Sequence, residues 1–165
     1  YVTACEKLKT AGVRQYEISN FARPGYESRH NLKYWTRQPY LGFGVDAHSM
    51  IAGLNGDAMR FSTPDSLEAY IAGRALNCLA VPACAALEET FFLGLRLNRG
   101  VNLREVRAQF GMDAIAGISG IVADLVLAGL MERREDVIRL TARGRLLSNE
   151  VFERFLAPQT RPVPA

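Results

Sequence analysis

The residues able to do chemistry crowd into one stretch. Residues 16–49 hold both histidines, His30 and His48, the lone tryptophan, Trp35, and the tyrosines Tyr16, Tyr26, Tyr34 and Tyr40. His30 and Tyr34 are four apart, so one helical turn would put them on the same face. A neutral imidazole among aromatic rings can ligate haem iron while the rings pack against the porphyrin plane. The same residues also suit a loop histidine bonded to backbone inside a local aromatic core, and spacing alone does not choose between the two. The three cysteines, Cys5, Cys78 and Cys84, lack metal-ligand spacing and lie far from either histidine. Neither a zinc site nor an iron–sulfur cluster is expected from this chain alone, and the thiols read as small hydrophobes in a reducing compartment.

The elements that must position this stretch divide the chain in two. All six tyrosines and the tryptophan precede residue 72, and glycine, proline and polar turn signals crowd the first sixty residues. Val2 to Thr10 reads as an amphipathic helix stopped by Gly12, followed by an alternating strand over Gln15–Ser19. Leu41 to Ile51 is apolar and glycine-rich, like a buried strand closely approached by other backbone. Asn55-Gly56 predicts a hairpin between Ser49–Gly53 and Ala58–Phe61, and Ser62-Thr63-Pro64 opens a helix through Arg74. The second part is helical over Ala85–Leu97, from Asn102 to Gly111, over Asp113–Ala128 and over Ala142–Phe155. Two short strands, Leu130–Arg133 and Val137–Leu140, precede the last helix, and the order suggests a winged helix. These readings give an α/β part over 1–76, a linker over 77–84, a helical winged-helix-like domain over 85–156 and a disordered tail over 157–165.

Composition excludes several classes. Hydrophobic residues are 48% and charged residues 22% of the 165, a globular balance. No apolar run approaches the ~20 residues a membrane span needs, and no secretory signal is visible, so a cytoplasmic protein is expected. The net charge of +3 is mild. The helix Asp113–Ala128, which would be the recognition helix of a DNA-binding winged helix, carries no Lys or Arg and two aspartates, Asp113 and Asp124. Such a helix would repel a DNA groove, so no nucleic-acid partner is expected.

The motifs resemble a known family. Tyr16-Glu17-Ile18-Ser19-Asn20-Phe21-Ala22-Arg23-Pro24-Gly25, His30-Asn31-Leu32-Lys33-Tyr34-Trp35, Tyr40-Leu41-Gly42-Phe43-Gly44 and Ala47-His48-Ser49 are similar to blocks of the radical S-adenosylmethionine proteins related to oxygen-independent coproporphyrinogen III oxidase. The His-Asn-x-x-Tyr-Trp block resembles the HemW-type haem chaperone branch. Leu87–Arg96 and Leu140–Asn149 extend the likeness across almost the whole chain. The resemblance implies the trailing strands and helices of a partial (β/α) barrel followed by a HemN C-terminal domain. It implies S-adenosylmethionine contacts at Ala22 and His48, with His30 as axial haem ligand supported by Tyr34. The family's Cys-x-x-x-Cys-x-x-Cys cluster motif has no counterpart here. The chain, which opens at Tyr1 inside a helix, is therefore expected to be the C-terminal portion of a longer protein that holds the 4Fe-4S cluster. On its own it is expected to be inactive, with no catalytic residue. The resemblance also implies haem, haem-acceptor proteins and the barrel's other part as partners, with a homodimer left open. A coproporphyrinogen III oxidase fragment and a non-enzymatic interaction module are the alternatives.

Overall fold

A computed structural model describes residues 1–53 and 57–156. The expected Asn55-Gly56 turn and the tail over 157–165 lie outside the described residues.

Helix α1 (Val2–Thr10) carries Lys7 and Lys9 in its last turn, where they complement the helix dipole, and Gly12 follows at φ 77°. The strand expected over Gln15–Ser19 is shorter. Only Arg14–Gln15 (β1) forms a ladder, antiparallel to Phe21–Ala22 (β2). The chain reverses between them in a turn where Tyr16 N donates to Asn20 O and Glu17 Oε1 accepts from Ser19 N and Asn20 Nδ2. Helix α2 (Arg29–Trp35) follows, its first turn capped by the Ser28 hydroxyl, which accepts from Asn31 N at 3.3 Å.

The buried strand expected over Leu41–Ile51 begins only at His48. Gly44 at φ 106° and Asp46 at φ 54° turn the backbone, and Leu41, Phe43 and Val45 are exposed. Beyond this bend, β3 (His48–Ala52), β4 (Ala58–Ser62) and β5 (Asn77–Val81) form an antiparallel sheet in the order β3-β4-β5. The segment expected as a linker, 77–84, thus contains a strand. Its register places Leu79 opposite Arg60 and Val81 opposite Ala58. Helix α3 (Leu67–Ile71) is shorter than the helix expected from Ser62. Thr63 and Pro64 instead clasp the bend, with Thr63 N donating to Ala47 O and Asp46 N to Pro64 O.

The rest follows the expected order with one addition. Helix α4 (Ala83–Gly94) leads to a strand the sequence reading lacked, β6 (Val101–Asn102), then α5 (Leu103–Phe110) and α6 (Met112–Leu127). Strands β7 (Met131–Arg134) and β8 (Val137–Leu140) complete a second sheet, ordered β6-β8-β7. The final helix is two pieces, α7 (Ala142–Leu146) and α8 (Ser148–Glu153), broken at Leu147. All ladders between these strands are antiparallel.

Phe91, Leu95, Val106, Val122, Ile138 and Phe152 belong to the main core, built from α4, α5, α6, α8 and the second sheet. A smaller cluster of Met50, Ala58, Val81 and Ala86 packs the first sheet onto α4. Helix α4 therefore serves both cores. The cysteines, expected to be small hydrophobes in a reducing compartment, are free thiols; Cys5 is half-buried, and Cys78 and Cys84 are exposed. No helix among the described residues is long and apolar enough to cross a membrane.

Candidate functional site

Helix α2 is the hub of the site. His30 and Tyr34 meet on one face as their spacing requires, edge to face with ring centroids 4.9 Å apart. Tyr40, arriving from the following loop, adds a third ring 4.7 Å from Tyr34. His30 is the exposed end of this row, and Tyr34 and Tyr40 are half-buried. Tyr40 is fixed by a reciprocal pair of backbone bonds with Met50 on β3, at 3.0 and 2.9 Å.

Trp35, at the end of α2, is held from another direction. The Arg96 guanidinium lies 4.3 Å from its ring centroid and reaches Glu17 Oε2 at 3.4 Å. The Glu17 side chain is fully buried. Its other oxygen accepts from Ser19 N at 2.8 Å and Asn20 Nδ2 at 2.6 Å, so the buried charge is both paired and hydrogen-bonded. Asn98 strengthens the same junction, donating from Nδ2 to Gln15 O at 2.6 Å and from N to Tyr16 O at 3.0 Å.

Between α2, the first sheet and α4 lies a cleft of about 380 Å³, with Tyr34, Arg37, Tyr40, Met50, Arg60 and Leu93 in its walls. Glu89 of α4 clamps its two arginines. Arg37 Nε donates to Glu89 Oε2 at 3.1 Å, and Arg60 grips both carboxylate oxygens at 2.9 Å. Burial of the Tyr40 phenol pushes its pKa above the usual tyrosine value, and repulsion from the neighbouring Tyr34 adds to it.

The other two expected site residues lie apart from this row. Ala22 pairs with Arg14 in the two-stranded sheet. His48 opens β3, where its Nδ1 lies 3.1 Å from Asp46 O. Behind it, the buried Ser49 accepts from Gly42 N at 3.0 Å, and a side chain at Gly42 would meet the backbone of His48. Sequence reasoning missed Glu17, Arg37, Arg60, Glu89 and Arg96. The available signal was that Glu17 falls inside the motif Tyr16–Gly25 and Glu89 and Arg96 inside Leu87–Arg96, with nothing to show what they reach.

Three comparisons bear on this arrangement. The HemN C-terminal domain family matches residues 81–147. The likeness extends well beyond it. The protein named heme chaperone HemW of Bacillus subtilis (strain 168) is 36% identical over 159 residues, 94% of this chain and 41% of that protein. The HemW of Escherichia coli (strain K12) is 30% identical over 151 residues, 91% of this chain and 40% of that protein. That of Mycobacterium tuberculosis (strain H37Rv) is 33% identical over 153 residues, 91% and 37%. The chain thus spans about two fifths of the length of these HemW relatives. Among solved structures, the coproporphyrinogen III oxidase HemN of Escherichia coli, described as a radical SAM enzyme, matches with a TM-score of 0.68 at 22% identity, covering 93% of this chain and 39% of that one. That match shows a shared mixed α/β fold.

Proposed function

We propose that this chain is the haem-handling part of a HemW-like haem chaperone, with His30 as the ligand to the iron of its cargo and Tyr34 as the supporting ring. The observation that carries the reading is the row His30–Tyr34–Tyr40, with the imidazole at its exposed end on a helix belonging to the block similar to HemW. An exposed axial ligand suits a carrier, because an acceptor protein's own ligand can reach the iron without the carrier unfolding. The names of the 36% and 33% identical relatives support the chaperone over the oxidase reading.

In this reading residues 1–76 belong to a partial (β/α) barrel and 77–84 form a connection that includes β5. Residues 85–156 form a winged-helix-like domain that serves for packing, since α6 offers only Asp113 and Asp124 as charges. Haem-acceptor proteins are the partners of the whole protein, in the cytoplasm. A 4Fe-4S cluster does not fit this chain: its cysteines are dispersed, and no group of three or more His, Cys, Asp or Glu among the described residues could hold a metal ion. S-adenosylmethionine would have Ala22 and His48 as contacts, which sit on separate sheets.

The test is a haem titration followed by the Soret band. His30→Ala is expected to weaken binding by about tenfold or more and to move the band, as loss of a metal's ligand does. An unchanged titration in a folded variant would remove His30 as the ligand.

A further inference from the structure

The cleft beside the aromatic row has a chemistry that the axial ligand does not use. Its floor is apolar, from Met50 and Leu93, two phenols stand in its wall, and its charged lining is cationic: Lys33, Arg37 and Arg60. A guanidinium has five N–H donors in a fixed fork, and Glu89 engages only Nη1 and Nη2 of Arg60 and Nε of Arg37. The Arg60 side chain keeps 38% of its surface exposed, whereas Arg37 keeps 8% and is committed to holding Glu89. Lys33 is exposed on the same helix as His30 and has no ion pair among the described residues. Aromatic walls with cations at the opening suit a flat, apolar ligand that carries carboxylates. A cleft of about 380 Å³ is too small for a whole porphyrin, but it accepts one edge.

We infer that this cleft is the carboxylate-reading half of the porphyrin site: Arg60 and Lys33 receive the propionates, while Tyr34 and Tyr40 line the macrocycle edge. The iron would then lie outside the cleft, toward His30 at the exposed end of the row. This inference rests on the haem reading above. It adds that the protein recognises the acid groups of its cargo independently of the metal. The Tyr40 phenol, neutral near pH 7 as an ordinary tyrosine is, can donate a hydrogen bond to a carboxylate without opposing it by charge.

Three probes separate the two ideas when titrated into the full chain: iron protoporphyrin, metal-free protoporphyrin and metal-free protoporphyrin dimethyl ester. Arg60→Gln and Lys33→Gln are each expected to weaken both diacids, Arg60→Gln by about tenfold, and to leave the dimethyl ester unchanged, as loss of a charge-assisted bond to a carboxylate requires. Lys33 is exposed, so its variant keeps the test valid if removing Arg60 from its Glu89 pair unfolds the chain. Arg60→Lys should recover part of the loss. If diacids and ester weaken equally, or the diacids do not respond to either variant, the cleft assignment is wrong. Failure of the haem reading looks different: His30→Ala would leave iron protoporphyrin unaffected while the diacid and ester still part company in Arg60→Gln.

Discussion

Glu17 is the residue whose placement explains most about the site. A fully buried carboxylate is unfavourable unless it is paired and hydrogen-bonded, and here Arg96, Ser19 N and Asn20 supply both. Because the same Arg96 lies over Trp35, the turn after β1 and the end of α2 share one guanidinium. Arg96→Lys keeps the charge but loses the planar stack, which is worth about 1 kcal/mol in a partly buried setting. Trp35 is the only tryptophan, so the chain's tryptophan emission reports the surroundings of this one ring. The variant is expected to shift the emission and raise acrylamide quenching; an unchanged spectrum would mean the stack does not hold the ring. Tyr40 gives a second residue-scale outcome through pH. Its pKa lies above the ordinary value of 10.0, so just above that pH the folded chain retains a proton that the unfolded chain has lost. The resulting stability is complete below about pH 10 and is lost as pH rises through the folded pKa. Tyr40→Phe should flatten that fall in denaturation midpoints measured from pH 9 upward; an equally steep fall would assign it to other groups.

At the scale of elements, glycines test whether local preference or packing decides. Gly144 lies in α7, buried, and a Cβ there would run into the Leu130 carbonyl and neighbouring backbone. Helix propensity favours alanine by about 1 kcal/mol, but backbone cannot yield as a flexible side chain can, so overpacking of about 1–3 kcal/mol wins. Gly144→Ala should lower the thermal midpoint. Gly117 and Gly120 of α6 face open space, so alanine at either should raise it, by about 0.4–1 kcal/mol of stability each. Equal signs at Gly144 and Gly117 would refute the packing argument. Elements announced by local signals were readable from the sequence. The Gly12 stop of α1, the Asn102 cap of α5 and the Thr141 cap of α7 all stand where their residue types predict. Elements set by distant partners were not. Strand β6 is two residues long and exists because Val101 pairs with Ile138. Strand β5 looked like a linker because its side chains are mostly exposed and only its pairing with β4 defines it.

The same division between local and distant causes governs the whole molecule. His30 and Tyr34 could be placed together by counting along a helix, whereas the residues that close the site come from far along the chain. Arg37 reaches Glu89 across 52 positions, Arg60 reaches it across 29, and Arg96 reaches Glu17 across 79. All three of these ion pairs join the first part to α4 or the turn that follows it, so α4 is the platform on which the α2 site is assembled. Glu89 is the most consequential, since one carboxylate holds both arginines of the cleft. Removing it leaves Arg37, with 8% of its side chain exposed, without its counter-ion, while the main core around Phe91 and Ile138 is untouched. Two signals separate the regions: Trp35 emission reports α2, and ellipticity at 222 nm is dominated by the helices of 83–156. In the unaltered chain the two should give coincident urea transitions, the mark of a single cooperative unit. In Glu89→Ala the fluorescence transition should move to lower urea and separate from the ellipticity transition, because α2 and the first sheet lose their clamp before the main core opens. If the two curves still superimpose in the variant, Arg37 and Arg60 do not carry the coupling, and the shared packing on α4 alone unites the molecule.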